Sequence, residues 1–523
     1  MFTKRTARLC ALALILVTVA ACGPAALGQL PAATGVPEQL VAAPLLWDSN
    51  SPSPTTSPGM QPPNDEAYDY TFFENYGVNP VIDTEDDALS TFALDVDTGA
   101  YTIMRSYVEG GDLPPKDSVR VEEYVNYFEG GYDYPPEGQA FSIYIDGAPT
   151  PYGETERYQM LRVGIQGYAV PAELRQDVSL TFVIDVSGSM DLDNRLGLVK
   201  RSLELLVEQL RASDRVSIVV YGTESRVVLE PTPGSRMAAI MRAINSLHPE
   251  GVTNAEAGLR LGYEMAAEAF NPEGINRVIL CSDGVANFGQ TGADSIWTEI
   301  EEYAGEKITL TTVGFGMDNY NDVLMEQLAD QGNGFYAYVD DIEEAGRLFV
   351  ENLTSTLQVI AMDARVQVDF NPQVVARYRL VGFENRAIAD EDFRNDTVDA
   401  GEVGAGLSVT ALYEIKLHPE AEGKIATVYL RWENPDSMNT IELSQDFNSN
   451  ELADTFSAAN PYVHWSVIVA EYAEILRDSY WAQESMLSGV LEEAQRVSRL
   501  LPEDGDVEEF VGLVQDASRL AGE

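Results

Sequence analysis

The sequence predicts an α/β protein built on a doubly wound parallel sheet, with a β-rich, sandwich-like flank and a C-terminal helical segment. Three observations predict it. Between residues 176 and 356, short apolar runs alternate with amphipathic helical patterns. Two of those runs end on carboxylates, at the position where open α/β sheets place ligand sites. Outside that span, apolar residues recur at every second position and then, near the C-terminus, at helical spacing.

The N-terminus reads as a targeting segment. Lys4, Arg5 and Arg8 precede an apolar run over 9–20, too short to span a membrane as a mature helix. It ends Val19-Ala20-Ala21-Cys22-Gly23, which resembles a bacterial lipobox, and Cys22 is the expected lipidation site. Ordinary cleavage beside a bystander cysteine is the alternative. Residues 23–65, with Ser51-Pro52-Ser53-Pro54, are too poor in apolar residues to fold and read as a flexible linker. Exported, lipid-anchored placement on the extracytoplasmic membrane face is therefore expected.

Residues 66–172 form an N-terminal region. An alternating run over 89–98, a helical pattern over 119–128 and strands over 141–145 and 158–165 mark it. The doubly wound domain is expected over 173–356. Its helix over 193–212 carries Leu196, Val199, Leu203, Leu206, Val207 and Leu210 on one face. Strands over 216–221, 277–282, 308–314 and 334–339 follow, the first almost wholly apolar, as a strand covered on both faces should be. Residues 357–445 are strand-rich, with alternation over 366–370, 408–417 and 425–432. Residues 446–523 read as helices over 463–477, 484–500 and 507–520 that pack rather than enter membranes. The strands before and after the α/β domain are each too few for a closed two-layer core, so they are expected to join in one sandwich.

The chemistry lies in three loops. The strand over 180–184 leads into Asp185, with Ser187 and Ser189 spaced two apart and Gly188 permitting a tight turn. Thr253 follows Gly251-Val252 ahead of a helix, and the strand over 278–282 ends on Asp283. A carboxylate with hydroxyl oxygens suits a hard divalent cation such as Mg²⁺, which keeps several waters. Helix capping also places Ser and Asp after strands, but it does not require carboxylates at two strand ends.

These residues resemble the von Willebrand factor type A (VWA) domain and its metal-ion-dependent adhesion site, whose pattern is D-x-S-x-S, then T, then D. Asp185, Ser187, Ser189, Thr253 and Asp283 match it in order. The flanks resemble those of bacterial VWA lipoproteins, through Leu89-Ser90-Thr91-Phe92, Asp95-Val96-Asp97-Thr98 and Leu113-Pro114-Pro115 before the domain. After it, the match runs through Tyr378-Arg379-Leu380-Val381-Gly382-Phe383-Glu384-Asn385-Arg386 and Ala400-Gly401-Glu402-Val403-Gly404. The resemblance implies a Rossmann-like fold and a Mg²⁺ ion, with Mn²⁺ or Ca²⁺ as alternatives, held by those five residues. It also implies a protein ligand whose acidic side chain completes the coordination, and no catalysis. Val252 stands where many relatives have Gly.

Composition narrows the field. There are 84 acidic and 33 basic residues, a formal charge of −51, so nothing in excess can neutralise nucleic-acid phosphates. Of three cysteines, Cys10 leaves with the signal, Cys22 takes lipid and Cys281 sits in an apolar strand, leaving no disulfide framework. His248, His418 and His464 are far apart in sequence and read as surface or packing residues. Asp97-Thr98-Gly99 has no second copy to make an aspartic-protease pair and reads as a turn. No Gly-x-Ser-x-Gly elbow or P-loop is present. Asp390-Glu391-Asp392 reads as a solvated acidic loop rather than a cation site. Two other functions stay open: a structural or assembly role with a purely structural metal, and a metal-dependent hydrolase using Asp191, Asp193 or Glu224 as base.

Overall fold

The computed structural model describes residues 71–523 apart from 95–96, 153–157, 252, 285–297, 299–306, 317–319, 399 and 503. The expected signal segment with Cys10, the expected lipidation site Cys22, the expected linker and Val252 lie outside the described residues.

In chain order come strands β1 (Ile82–Asp83) and β2 (Leu89–Ala93), helices α1 (Gly99–Gly110) and α2 (Val121–Asn126), then β3 (Phe141–Pro149) and β4 (Tyr158–Gly167). The α/β domain follows with β5 (Val178–Asp185), α3 (Arg195–Glu208), β6 (Arg215–Tyr221), β7 (Arg226–Pro233), α4 (Met237–Asn245) and α5 (Ala255–Glu268). It continues with β8 (Ile275–Ser282), β9 (Thr309–Gly314), α6 (Asp322–Gln331), β10 (Tyr336–Tyr338) and helical turns over 342–357.

Among the described residues its sheet has the order β10-β9-β8-β5-β6-β7. All pairs are parallel except β6 with β7. Sequence reading did not find β7. Its Pro231 and Pro233 suit an edge strand and hide it from propensity. The helix expected over 193–212 is shorter, because residues Gly188–Asn194 coil into a 3₁₀ turn before Arg195.

Alternation along β5 divides the core. Leu180, Phe182 and Ile184 pack with Val199, Leu203 and Ile240 on one face. Val183 packs with Leu259, Tyr263, Leu324 and Leu328 on the other. Helix α5 lies close on the sheet because Gly262 carries no side chain, where a Cβ would overlap Val183 Cγ2.

After the domain come β11 (Val359–Phe370), β12 (Val375–Val381), β13 (Gly401–Gly404), β14 (Ser408–Leu417), β15 (Lys424–Glu433) and β16 (Thr440–Asn448). Strand β4 pairs antiparallel with β14, Leu161 opposite Tyr413, in a sheet of order β1-β12-β14-β4-β3. Strand β11 pairs with β2, β13 and β15 in a second sheet. The two sheets share one apolar core, and the Phe141 ring meets Trp432 across it at 5.0 Å. The α/β domain is thus inserted between the halves of a sandwich.

Helices α7 (Pro461–Leu476), α8 (Leu487–Val497) and α9 (Gly505–Ala521) close the chain, with Pro461 at the first helical position of α7. Trp465 of α7 and Phe510 of α9 bury against Tyr101 of α1 and against Phe128, just beyond α2. No described helix is long and apolar enough to cross a membrane.

Candidate metal centre

The carboxylates at the ends of β5 and β8 meet because those strands are adjacent and parallel, in register up to Ile184 and Cys281. Asp185 and Asp283 are both fully buried. Asp185 Oδ1 accepts the Ser187 amide at 2.7 Å, and its Oδ2 accepts the Ser282 hydroxyl at 3.0 Å. Ser187 Oγ and Ser189 Oγ are 3.0 Å apart. Ser187 is buried, while Gly188 is exposed and Ser189 half-buried, so the cluster opens to solvent at that turn.

The third loop is laced to the first. Gly188 donates its amide to the Gly251 carbonyl at 3.1 Å, and Glu250 donates to the Val186 carbonyl. Gly251 makes this possible with φ +78°, where a Cβ would overlap Thr223 Oγ1. Thr253, two residues on, is buried. Asn254 then caps α5 through its side chain, which accepts from the Ala257 amide at 3.1 Å.

Sequence reading missed Arg195. Its Nη1 donates to Asp283 Oδ2 at 3.0 Å, with both side chains buried. A cation in the first turn of a helix opposes the helix dipole, and that mismatch was the available signal. Burial and the neighbouring charge of Asp283 push the Asp185 carboxyl up to about 7. Two carboxylates buried side by side repel one another, a costly arrangement that a bound cation would relieve. The Ser187 and Ser189 hydroxyls add neutral oxygens beside Asp185, and an all-oxygen set of this kind fits a hard divalent ion.

The remaining candidates fall elsewhere. Asp191 and Glu224 are exposed, and the side chain of Asp193 lies outside the described part. No three His, Cys, Asp or Glu side chains gather at metal-ligating spacing among the described residues. Cys281 and His464 are buried, and His248 is exposed. The Asp97-Thr98-Gly99 stretch is the start of α1, and Asp97 accepts the Tyr336 amide at 2.9 Å and pairs with Arg386 at 2.9 Å. Asp390 is less solvated than expected: it accepts the Thr91 hydroxyl at 2.5 Å in a 3₁₀ turn over Asp390–Arg394.

The chain is similar to known proteins over most of its length. The family model described as von Willebrand factor type A domain matches residues 179–354. Models described as von Willebrand factor and as the C-terminal part of protein YfbK match 67–162 and 355–520. The Escherichia coli (strain K12) protein YfbK, described as uncharacterized, is 34% identical over 471 residues, 85% of this chain and 80% of its own. The Synechocystis protein sll0103 is 27% identical over 57% of this chain and 70% of its own. Human inter-alpha-trypsin inhibitor heavy chain H3 is 28% identical over 30% of this chain, but only 18% of its own length. A solved von Willebrand factor type A protein from Catenulispora acidiphila superposes with a TM-score of 0.44 at 16% identity, covering 74% of this chain and 91% of that one.

Proposed function

This chain belongs to the YfbK-like family of von Willebrand factor type A proteins, and from that premise we propose that it is a lipid-anchored binding protein of the extracytoplasmic membrane face. VWA domains mediate protein–protein interaction or adhesion. In this reading a divalent cation, Mg²⁺ first, is held by Asp185, Ser187 and Ser189, with Thr253 and Asp283 joining directly or through water. The cation, when bound, offers an electrophilic position to an acidic side chain of a protein ligand. The supporting observation is the pair of buried carboxylates with hydroxyl oxygens beside them at the open end of the sheet.

The chain's own residues do the rest. The Ser187 amide and Ser282 hydroxyl fix both Asp185 oxygens, leaving that carboxylate oriented. Arg195 fixes Asp283 from the opposite side. Leu192, 48% exposed on the turn that carries Ser189, supplies apolar contact beside the acidic group of a partner.

Calorimetric titration tests the reading. Asp185→Ala should abolish Mg²⁺ and Mn²⁺ binding, and Ser187→Ala and Ser189→Ala should weaken it. Leu192→Glu should leave cation affinity intact and weaken capture of the partner from surface extracts, a capture that EDTA also prevents. Equal cation affinity in wild type and Asp185→Ala would refute the site. Partner capture that survives loss of the metal would turn the reading to a structural metal. Anchoring is tested separately: Cys22→Ala should abolish lipid labelling, and release of unlipidated wild-type protein would refute it.

A further inference from the structure

A second site stands at the opposite end of the α/β sheet. Arg277, near the start of β8, is 1% exposed. Its Nε donates to Thr309 Oγ1 at 3.1 Å, and its Nη1 to Thr311 Oγ1 at 3.2 Å and to the Thr356 carbonyl. All three acceptors are neutral. Among the described residues no carboxylate comes within ion-pairing distance, and Nη2 makes no hydrogen bond. Buried Arg105, Arg120, Arg175, Arg195 and Arg379 each hold a carboxylate. Arg365 spends all three nitrogens on carbonyls. Arg277 does neither, and a buried guanidinium without an anion is unfavourable. Burial brings its pKa down to about 10, against the pull of Glu402.

Arg277 lines a cavity of about 350 Å³ where the α/β domain, the sandwich and the start of α9 meet. That volume suits a small molecule. Phe335 stands beside the guanidinium, 5.6 Å from its ring centre, and Leu348, Val359 and Leu407 add apolar wall. Glu351, Glu402 and Asp504 line the same space. Arg347 lines it too, but is tied to Asp506 at 3.2 Å and stacked on Tyr127. A polyanion such as phosphate would meet these carboxylates, and a simple amine would leave Arg277 unpaired.

We propose that this cavity binds a small zwitterion, an α-amino acid with an apolar side chain, its carboxylate on Arg277 and its ammonium among Glu351, Glu402 and Asp504. A carboxylate matches the guanidinium fork. The apolar side chain then faces Phe335, Leu348 and Leu407. The proposal is independent of the cation site, which lies at the other end of the same strand.

Thermal unfolding and calorimetry of the purified protein in EDTA test it, with the standard amino acids as probes. L-leucine is compared with 4-methylpentanoate, isopentylamine and inorganic phosphate. At least one apolar amino acid should raise the unfolding temperature saturably, and each single-charge analogue should bind at least tenfold more weakly. Arg277→Lys should lower the affinity at least tenfold. Should that variant fail to fold, Glu402→Gln carries the test, with an expected loss of at least threefold. The idea is overturned if no amino acid binds, if phosphate or the amine binds as well as the amino acid, or if the folded variants bind like wild type.

Discussion

Arg195 and Asp283 show how much a single pair decides at the mouth of the sheet. Removing the guanidinium takes away the donor that Asp283 Oδ2 accepts at 3.0 Å, beside a second buried carboxylate, Asp185. Breaking a buried pair in this way costs about 3–5 kcal/mol. Arg195→Met should therefore lower the stability of the metal-free protein by about that amount, and Mg²⁺ should restore more stability to the variant than to wild type. For scale, a ligand at about 100 times its Kd adds about 2.7 kcal/mol. Urea melts with EDTA and with Mg²⁺ measure both effects, and equal metal-induced gains in the two proteins would contradict the charge argument. The D-x-S-x-S, T and D residues were legible in sequence because each follows a strand or precedes a helix. Arg195 was not, since nothing local says that a residue ten positions after Asp185 folds back onto Asp283.

At the scale of the element, α2 carries a built-in pH dependence. Glu122 lies buried on it, and its carboxylate accepts the Phe383 amide at 2.9 Å. Burial first, then the charges of Glu384 and Glu123, push its carboxyl from 4.5 up to about 7. The folded state thus holds a proton that the unfolded chain releases near pH 4.5. The stabilisation is fully present below that pH and is lost as pH rises towards about 7. The loss amounts to about 3 kcal/mol for such a shift. Glu122→Gln should flatten the decline of the urea midpoint between those pH values, and an unchanged slope would show that Glu122 does not set it. Sequence reading found this helix through Val121, Tyr124 and Val125 but drew it too long, over 119–128 against the observed Val121–Asn126. It missed α1, whose Gly99 start follows an Asp-Thr pair that reads as a turn; the helix is stabilised by burying Tyr101, Ile103 and Met104.

For the whole molecule, the buried Arg105 and Arg120 and the half-buried Arg386 fasten the inserted domain to its flanks. Arg120, at the start of α2, binds Glu123 and donates to Asp322 of α6 at 2.6 Å. Arg105 of α1 holds Asp340 at 2.6 Å and Glu344 at 3.2 Å. Arg386, beyond β12, reaches Glu326 of α6 at 2.8 Å and Asp97 at 2.9 Å. With Ile103 also packed into the domain core, the α/β unit and sandwich should unfold together. Calorimetry of wild type should give one cooperative transition for the folded body. Arg120→Met should cost about 3–5 kcal/mol and separate a lower transition from the main one. Two well-separated transitions in wild type would show that these clamps do not couple the parts.

The sequence by itself determined the doubly wound domain, the strand-rich flank, the helical end and the three loops of the candidate site. Each follows from local rules: period-two and helical spacing of apolar residues, and short polar side chains at strand ends. The single sandwich around an inserted α/β domain was expected from the small number of strands on either side, and only the tertiary structure decided the pairing that closes it, β4 against β14 with Leu161 opposite Tyr413. It also decided which carboxylate each buried arginine meets, and that Arg277 meets none among the described residues. Strand partners more than two hundred residues apart and counter-ions across a domain boundary leave no periodic trace, because pairing depends on positions in space rather than along the chain.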